Sequence, residues 1–288
     1  MNAPDFDAAA LFVAANARVL DRRRFARLFG GGSAAPVRDA VAAYRNDDGG
    51  FGHGLEPDCR SPGSQPAAAE MALRVMDEAD AWDEDLVLGA CDWLAAVAPA
   101  DGGAAFVESN LAGWPHAPWW VPEEGHPASL IATGMIAGTL YARGVSHAWL
   151  DRATQVMWAR IARLTEPSAY EMFGVLKFLQ HVPDRDRARQ AFGRVGPLII
   201  DQNLAALDPE AAGEVHGPLD FAPEPDSLAR GLFDDVTIKA HLDHLAHAQL
   251  ADGGWTFNWL AWSPSAERDW RGYLTVDALR LLRANAYL

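Results

Sequence analysis

The sequence predicts an all-α protein. Long apolar segments recur with helical spacing, strand signals are scarce, and one helix–turn–helix pattern repeats through the chain.

Taken in order, the helical segments are 8–27, 37–45, 66–79, 86–97, 127–142, 149–163, 167–180, 185–204, 236–250 and 275–286. Ala, Leu, Arg and Glu fill them, and all four favour helix. The connections between them are rich in Gly, Pro and Asp, which punctuate helices.

Two short patterns mark the repeat. Asp48-Gly49-Gly50-Phe51 returns as Asp101-Gly102-Gly103-Ala104 and as Asp252-Gly253-Gly254-Trp255. Gln65-Pro66-Ala67-Ala68 returns as His126-Pro127-Ala128-Ser129 and Glu166-Pro167-Ser168-Ala169, and more loosely as Glu224-Pro225-Asp226-Ser227. The first recurs after 53 and then 151 residues, close to one and three times 50, and the prolines lie 61, 40 and 58 residues apart, averaging near 50, the length of a helical-hairpin repeat. Proline suits the first helical position, where its missing N–H costs nothing, so each Pro is expected to open a helix. A fifth unit is expected to open without proline near Arg271–Thr275. One hairpin cannot bury both its faces, but five or six side by side close into a ring of inner and outer helices. The expectation is one domain over residues 1–288.

Bulk properties narrow the function. Half the residues are hydrophobic, enough for a substantial core. The net charge of −15 argues against nucleic acid or an anionic membrane as partner. Cys59 and Cys91 are the only cysteines, so no disulfide framework is expected. The basic residues follow the first apolar run, the wrong order for a signal peptide, and no apolar run reaches the ~18 residues of a membrane span. A cytoplasmic protein with no integral membrane segment is expected.

The stretch KAHLDHLAHAQLADGGW, residues 239–255, carries a family resemblance. Lys239, Ala240, Leu245, Gln249, Gly253 and Trp255 fit the QW motif of squalene–hopene and oxidosqualene cyclases, with His244 in the aromatic slot. The copy ending at Phe51 keeps Gly49 and has Arg45 in the Gln slot, and the copy ending at Ala104 keeps Trp93, Leu94 and Gly102. The chain thus resembles the terpenoid cyclase and protein prenyltransferase superfamily, which implies an α/α toroid. The resemblance implies that Gln249 and Trp255 fasten neighbouring outer helices and that chemistry lies at the mouth formed by the inner, Pro-started ones. His241, His244 and His247 fan across one helix, so one metal ion is not expected to collect all three.

Four groups of residues are candidates for that chemistry. Gln65, His126, Glu166 and Glu224 precede the repeated prolines, where Ser, Thr, Asp and Asn are the usual caps, and equivalent positions in a ring would gather them at one opening. They read otherwise as ordinary polar loop residues. His53, Glu56, Asp58 and Cys59 lie in a long Gly/Pro loop ahead of Pro66 and offer an acid–base pair. Zinc is a lesser option there, and no metal or cofactor is expected. Trp114, His116, Trp119 and Trp120 crowd one loop before His126, suited to a cationic intermediate or to a packed lid. Trp259 and Trp262 occupy a corresponding loop.

The superfamily's own reactive motifs are missing. There is no Asp-X-Asp-Asp and no Asp-Asp-X-X-Asp, since Asp47-Asp48 and Asp234-Asp235 are only pairs. Asp58 and Cys59 are adjacent where a zinc prenyltransferase spaces them, and Arg60, Arg268 and Arg271 are the few bases available to a diphosphate. Fold alone is a weak warrant for function. The leading expectation is an enzyme that binds a hydrophobic small molecule in a central cavity and cyclises or isomerises it by acid–base chemistry. His53, Glu56, Asp58, His126 and Glu166 would be catalytic. Gln65, Trp114, His116, Trp119, Trp120, Glu224, Trp259 and Trp262 would line the pocket. The alternatives are a non-catalytic toroid holding a ligand or protein, and a carbohydrate-active α/α barrel.

Overall fold

A computed structural model describes residues 4–288. The described chain is all-α, its only β features being two isolated bridges. It forms two compact units: Ala34–Ile199, and the residues up to Ser33 together with Ile200–Leu288.

The first unit holds α3 (Ala35–Ala42), α4 (Pro66–Glu78), α5 (Glu84–Val97), α6 (Leu130–Ala142), α7 (Ala148–Arg163), α8 (Ala169–His181) and α9 (Arg185–Val195). They sort into two layers. In one, α4 packs on α6 and α6 on α8; in the other, α5 packs on α7 and α7 on α9. Each helix of the first layer also packs on the one that follows it. Glycine makes α6 and α8 touch backbone to backbone. A Cβ on Gly134 would lie 2.3 Å from the Gly174 carbonyl oxygen, and one on Gly174 would lie 2.2 Å from that of Leu130.

The second unit holds α1 (Phe6–Asn16), α2 (Val19–Phe29), α11 (Pro218–Phe221), α12 (Asp235–His247) and α13 (Pro264–Ala284). The short α10 (Leu198–Asp201) runs across the boundary between the units. Here α1 and α2 pack on each other and on α13, which also carries α12. Phe12, Val13, Ala17 and Val276 form the buried contact between the beginning and the end of the chain.

The Gly-Gly turns repeat in three dimensions. Gly49, Gly102 and Gly253 have φ of 89°, 92° and 89°, which only glycine adopts freely. Each presses on a neighbouring helix: a Cβ would meet Gly89 of α5, Val156 of α7 or Ala8 of α1, respectively. The residue after each turn bonds a later long helix, at its N-cap for the first two turns and at mid-helix in α13 for the third. The Phe51 carbonyl accepts from the Gln65 amide at 2.8 Å, that of Ala104 from Ser129 at 2.7 Å, and the Trp255 amide donates to Thr275 Oγ1 at 3.0 Å.

Gln249 ties one such turn across the chain. Its Oε1 accepts the Asp5 amide at 2.7 Å, and its Nε2 donates to the carbonyls of Asp5 at 2.8 Å and Gly253 at 2.9 Å. Trp255 Nε1 donates to the Leu245 carbonyl at 2.8 Å. These bonds answer backbone groups that helix ends leave open. On α12, His241 is buried while His244 and His247 are exposed, so the three diverge.

Several helix boundaries differ from those the spacing predicts. Segment 8–27 is two helices, broken at Ala17-Arg18, where both residues turn extended and the Ala17 carbonyl accepts from Arg22 Nε instead of continuing the helix. Segment 185–204 breaks at Gly196-Pro197, since proline supplies no N–H. Pro66 does open α4, but α6 and α8 begin three and two residues beyond Pro127 and Pro167, because the hydroxyls of Ser129 and Ser168 cap them better. Pro225 opens no helix: the Glu224 amide donates to Ser227 Oγ in a turn. The last helix starts at Pro264, capped by Ser263, ahead of the expected Arg271.

Candidate functional site

The loops flanking α4 and α6 gather polar residues into one connected network. Its first arm begins at His53, which is exposed and holds φ of 58°. Asn46 Nδ2 donates to the Pro62 carbonyl and to Ser64 Oγ, both at 2.9 Å, so its Oδ1 faces His53 Nε2 at 2.8 Å as an acceptor. Ser64 Oγ donates onward to Asp48 Oδ1 at 2.7 Å. Neutral His53 therefore carries its proton on Nε2, with Nδ1 open.

The second arm centres on Glu108 and His126. His126 Nε2 lies 2.9 and 3.0 Å from the two Glu108 carboxylate oxygens. The Glu108 side chain is 14% exposed and that of His126 is 40%. His126 also has positive φ, 48°. A non-glycine residue held there costs on the order of 1 kcal/mol or more, strain that concentrates at functional sites.

Gln65 fixes Glu108 in place. It is the N-cap of α4 yet makes no capping bond. Its Oε1 instead accepts the Glu108 amide at 2.9 Å, and its Nε2 donates to the Glu108 carbonyl at 3.2 Å and to Asn110 Oδ1. Asn110 Nδ2 donates to the Ser64 carbonyl at 3.1 Å. The two arms therefore meet at Ser64, and both histidines hang from one scaffold. Its parts reach across loops, and the Gln65 side chain is buried.

Glu56 and Asp58 sit differently. Both are buried, and Glu56 Oε2 accepts the amide of Asp58 at 2.8 Å, folding the loop on itself. The loop is zipped to the aromatic one: Cys59 bridges His116, Arg60 donates to the Pro115 carbonyl at 2.9 Å, and Ala117 donates to that of Asp58 at 2.7 Å. Burial pushes the Cys59 thiol above its ordinary range. His116 Nδ1 donates to the Trp114 carbonyl at 2.7 Å. Trp120 is buried against Phe106, while Trp114 and Trp119 stand 50% and 40% exposed. Glu166 is exposed in the α7–α8 connection and bonds no described residue. No group of three or more His, Cys, Asp or Glu among the described residues is arranged to hold a metal.

The remaining candidates belong to the second unit. Glu224 pairs with Arg280 at 3.0 Å. Trp259 stacks on Phe257 and meets Trp270 edge-on at 5.4 Å, and Trp262 is half-buried.

Of the predicted residues, the structure thus joins His126, Gln65 and, through Asn46 and Ser64, His53. It adds Glu108, Asn110, Asn46 and Ser64, which sequence reasoning passed over. The one signal was position: Glu108 and Asn110 directly precede the aromatic loop.

No protein-family model matches the chain, and no curated protein matches it. A crystal structure of a protein from Actinoplanes resembles it with a TM-score of 0.57 and 16% identity, covering 97% of this chain and 89% of that one. At that identity the likeness speaks for the fold alone. No described helix is long and apolar enough to cross a membrane.

Proposed function

We propose that the chain is an acid–base enzyme acting on an apolar small molecule, with Glu108 and His126 as the working pair. The observation that carries this is the bond of both Glu108 oxygens to His126 Nε2. A carboxylate that holds one imidazole nitrogen as N–H leaves the other free to take a proton, and it stabilises the imidazolium that forms. Gln65 and Asn110 keep that pair from wandering. Trp114 and Trp119 offer apolar faces on the same loop.

In an isomerisation, His126 Nδ1 would take a proton from one carbon as its C–H bond breaks. The C–H pair forms a new double bond to the neighbouring carbon, the pair of the old double bond shifts to its far carbon, and the imidazolium gives its proton to that carbon. In this reading the alternating helix layers are part of an α/α toroid of the terpenoid cyclase and prenyltransferase kind, and His53 is a second base at the same mouth. The exposed tryptophans favour one further reading, a non-catalytic toroid that holds an apolar partner through Trp114 and Trp119.

Deuterium uptake separates the two. The protein is incubated in deuterium oxide with a panel of C10 and C15 alkenes, enones and epoxides, and products are read by mass spectrometry. The wild type is expected to incorporate deuterium into one class. His126→Ala is expected to abolish uptake, and Glu108→Gln to cut it by roughly 10²–10⁴. A wild type that binds but never exchanges or converts these molecules, or variants as active as it, would leave the binding reading standing.

A further inference from the structure

A groove along the C-terminal half of α7 uses residues that the Glu108–His126 pair does not. Gln155, Ala159 and Arg163 follow one another at four-residue intervals and so share one stripe of the helix. The helical rise places the two polar side chains about 12 Å apart, with small Ala159 between them. Leu130 of α6, with Val156 and Leu164, gives the groove an apolar base. Its volume is ≈ 670 Å³, in the range of small-molecule sites.

Charge decides what would fit. The two acids on the rim already hold partners, Asp101 a cation and Glu171 the neutral groups of its own helix cap. Asp101 takes Arg160 Nη2 at 3.2 Å and the Ala128 amide at 3.4 Å. Glu171 accepts the Ser168 amide at 2.8 Å and hydroxyl at 3.1 Å, within the first turn of α8, where the helix dipole favours negative charge. Arg194 covers the carbonyls of Ile161 and Leu164 and so answers the C-terminal end of α7. The exposed Arg163 side chain has no hydrogen bond or ion pair with any described residue, and the Gln155 side chain has none either. Arg163 is thus a guanidinium lining the groove that no described carboxylate holds at ion-pair distance, beside the apolar surface of Leu130, Val156 and Leu164.

We propose that this groove binds an amphiphilic carboxylate, its head paired with Arg163 and its hydrocarbon body laid over Leu130, Val156 and Leu164. The planar guanidinium suits a carboxylate with two parallel bonds. Gln155 offers a neutral donor at the far end. The site does not depend on the acid–base chemistry of His126.

Calorimetric titration of the full chain with laurate, below its micelle concentration, and with 1-dodecanol tests this. The wild type is expected to bind one laurate saturably, at least tenfold more tightly than dodecanol. Arg163→Ala is expected to weaken laurate roughly 10- to 100-fold, the range for losing a hydrogen bond to a charged group, and to leave dodecanol unchanged. Arg163→Lys should recover part of the loss. Arg163 is exposed and unpaired, so its variants are expected to melt with the wild type. Absence of saturable laurate binding, or laurate binding untouched by Arg163→Ala, overturns the proposal.

Discussion

Replacing Gln249 by alanine tests the fastening of the first helix to the last part of the chain. Three hydrogen bonds are lost: two to the backbone of Asp5, which is itself the cap of α1, and one to Gly253. The Asp5 bonds are exposed, so water replaces them at little cost, near the lower end of ~0.5–1.5 kcal/mol each. The bond to Gly253 is partly buried and counts nearer the middle of that range. The expected loss is about 2 kcal/mol. For a chain of 288 residues that lowers the melting temperature by roughly 3 °C. Trp255 still donates to Leu245, so the turn itself should persist. Circular-dichroism melts give the total, and hydrogen exchange locates it: the amides of α1 should lose protection while those of α6 and α8 keep theirs. A melting temperature within a degree of wild type, with α1 protection unchanged, would refute the fastening.

Three further outcomes follow from packing and charge. Gly174→Ala drives a methyl to within 2.2 Å of the Leu130 carbonyl, and backbone cannot give way cheaply, so urea titration should show a loss of about 3 kcal/mol or no soluble protein. Gly193→Ala in α9 meets nothing within 4 Å and should be neutral or slightly stabilising. Desolvation works against ionisation of Asp252, but the bonds from Arg271 and the Gly254 amide outweigh it and hold the carboxyl below its ordinary range. A depressed carboxylate stabilises at neutral pH, and that stability is lost as pH falls from the ordinary carboxylate range through the depressed value. Asp252→Asn should therefore lose stability at pH 7 and little at pH 2–3, as read from denaturant midpoints; an equal loss at both would contradict the assignment.

The parts of the fold legible in the sequence are those one residue type dictates. The left-handed turns at Gly49, Gly102 and Gly253 were readable because glycine alone favours that backbone. The onset of α6 and α8 was misplaced because Pro127 and Pro167 resemble first-turn prolines, while Ser129 two residues on and Ser168 one residue on are the stronger start signals. The same rule places Gln65 at the N-cap of α4, where its side chain makes no capping bond. Glu108 and Asn110 escaped notice because their bonds to Gln65 span 43 and 45 residues between irregular loops. No period or propensity records such a contact. Glu56 and Asp58 read as acids in a functional loop; there one Glu56 oxygen accepts the Asp58 amide, a local contact.

The orientation of His126 by Glu108 is the centre of this account, and a long-range ¹H–¹⁵N correlation spectrum of the histidine side chains reads it directly. His126 is assigned by its loss in His126→Gln, and the spectrum is taken at a pH where the imidazole is neutral. The account predicts the Nε2–H tautomer, shifting toward a mixture in Glu108→Gln. A His126 protonated on Nδ1, or one indifferent to Glu108, would contradict it.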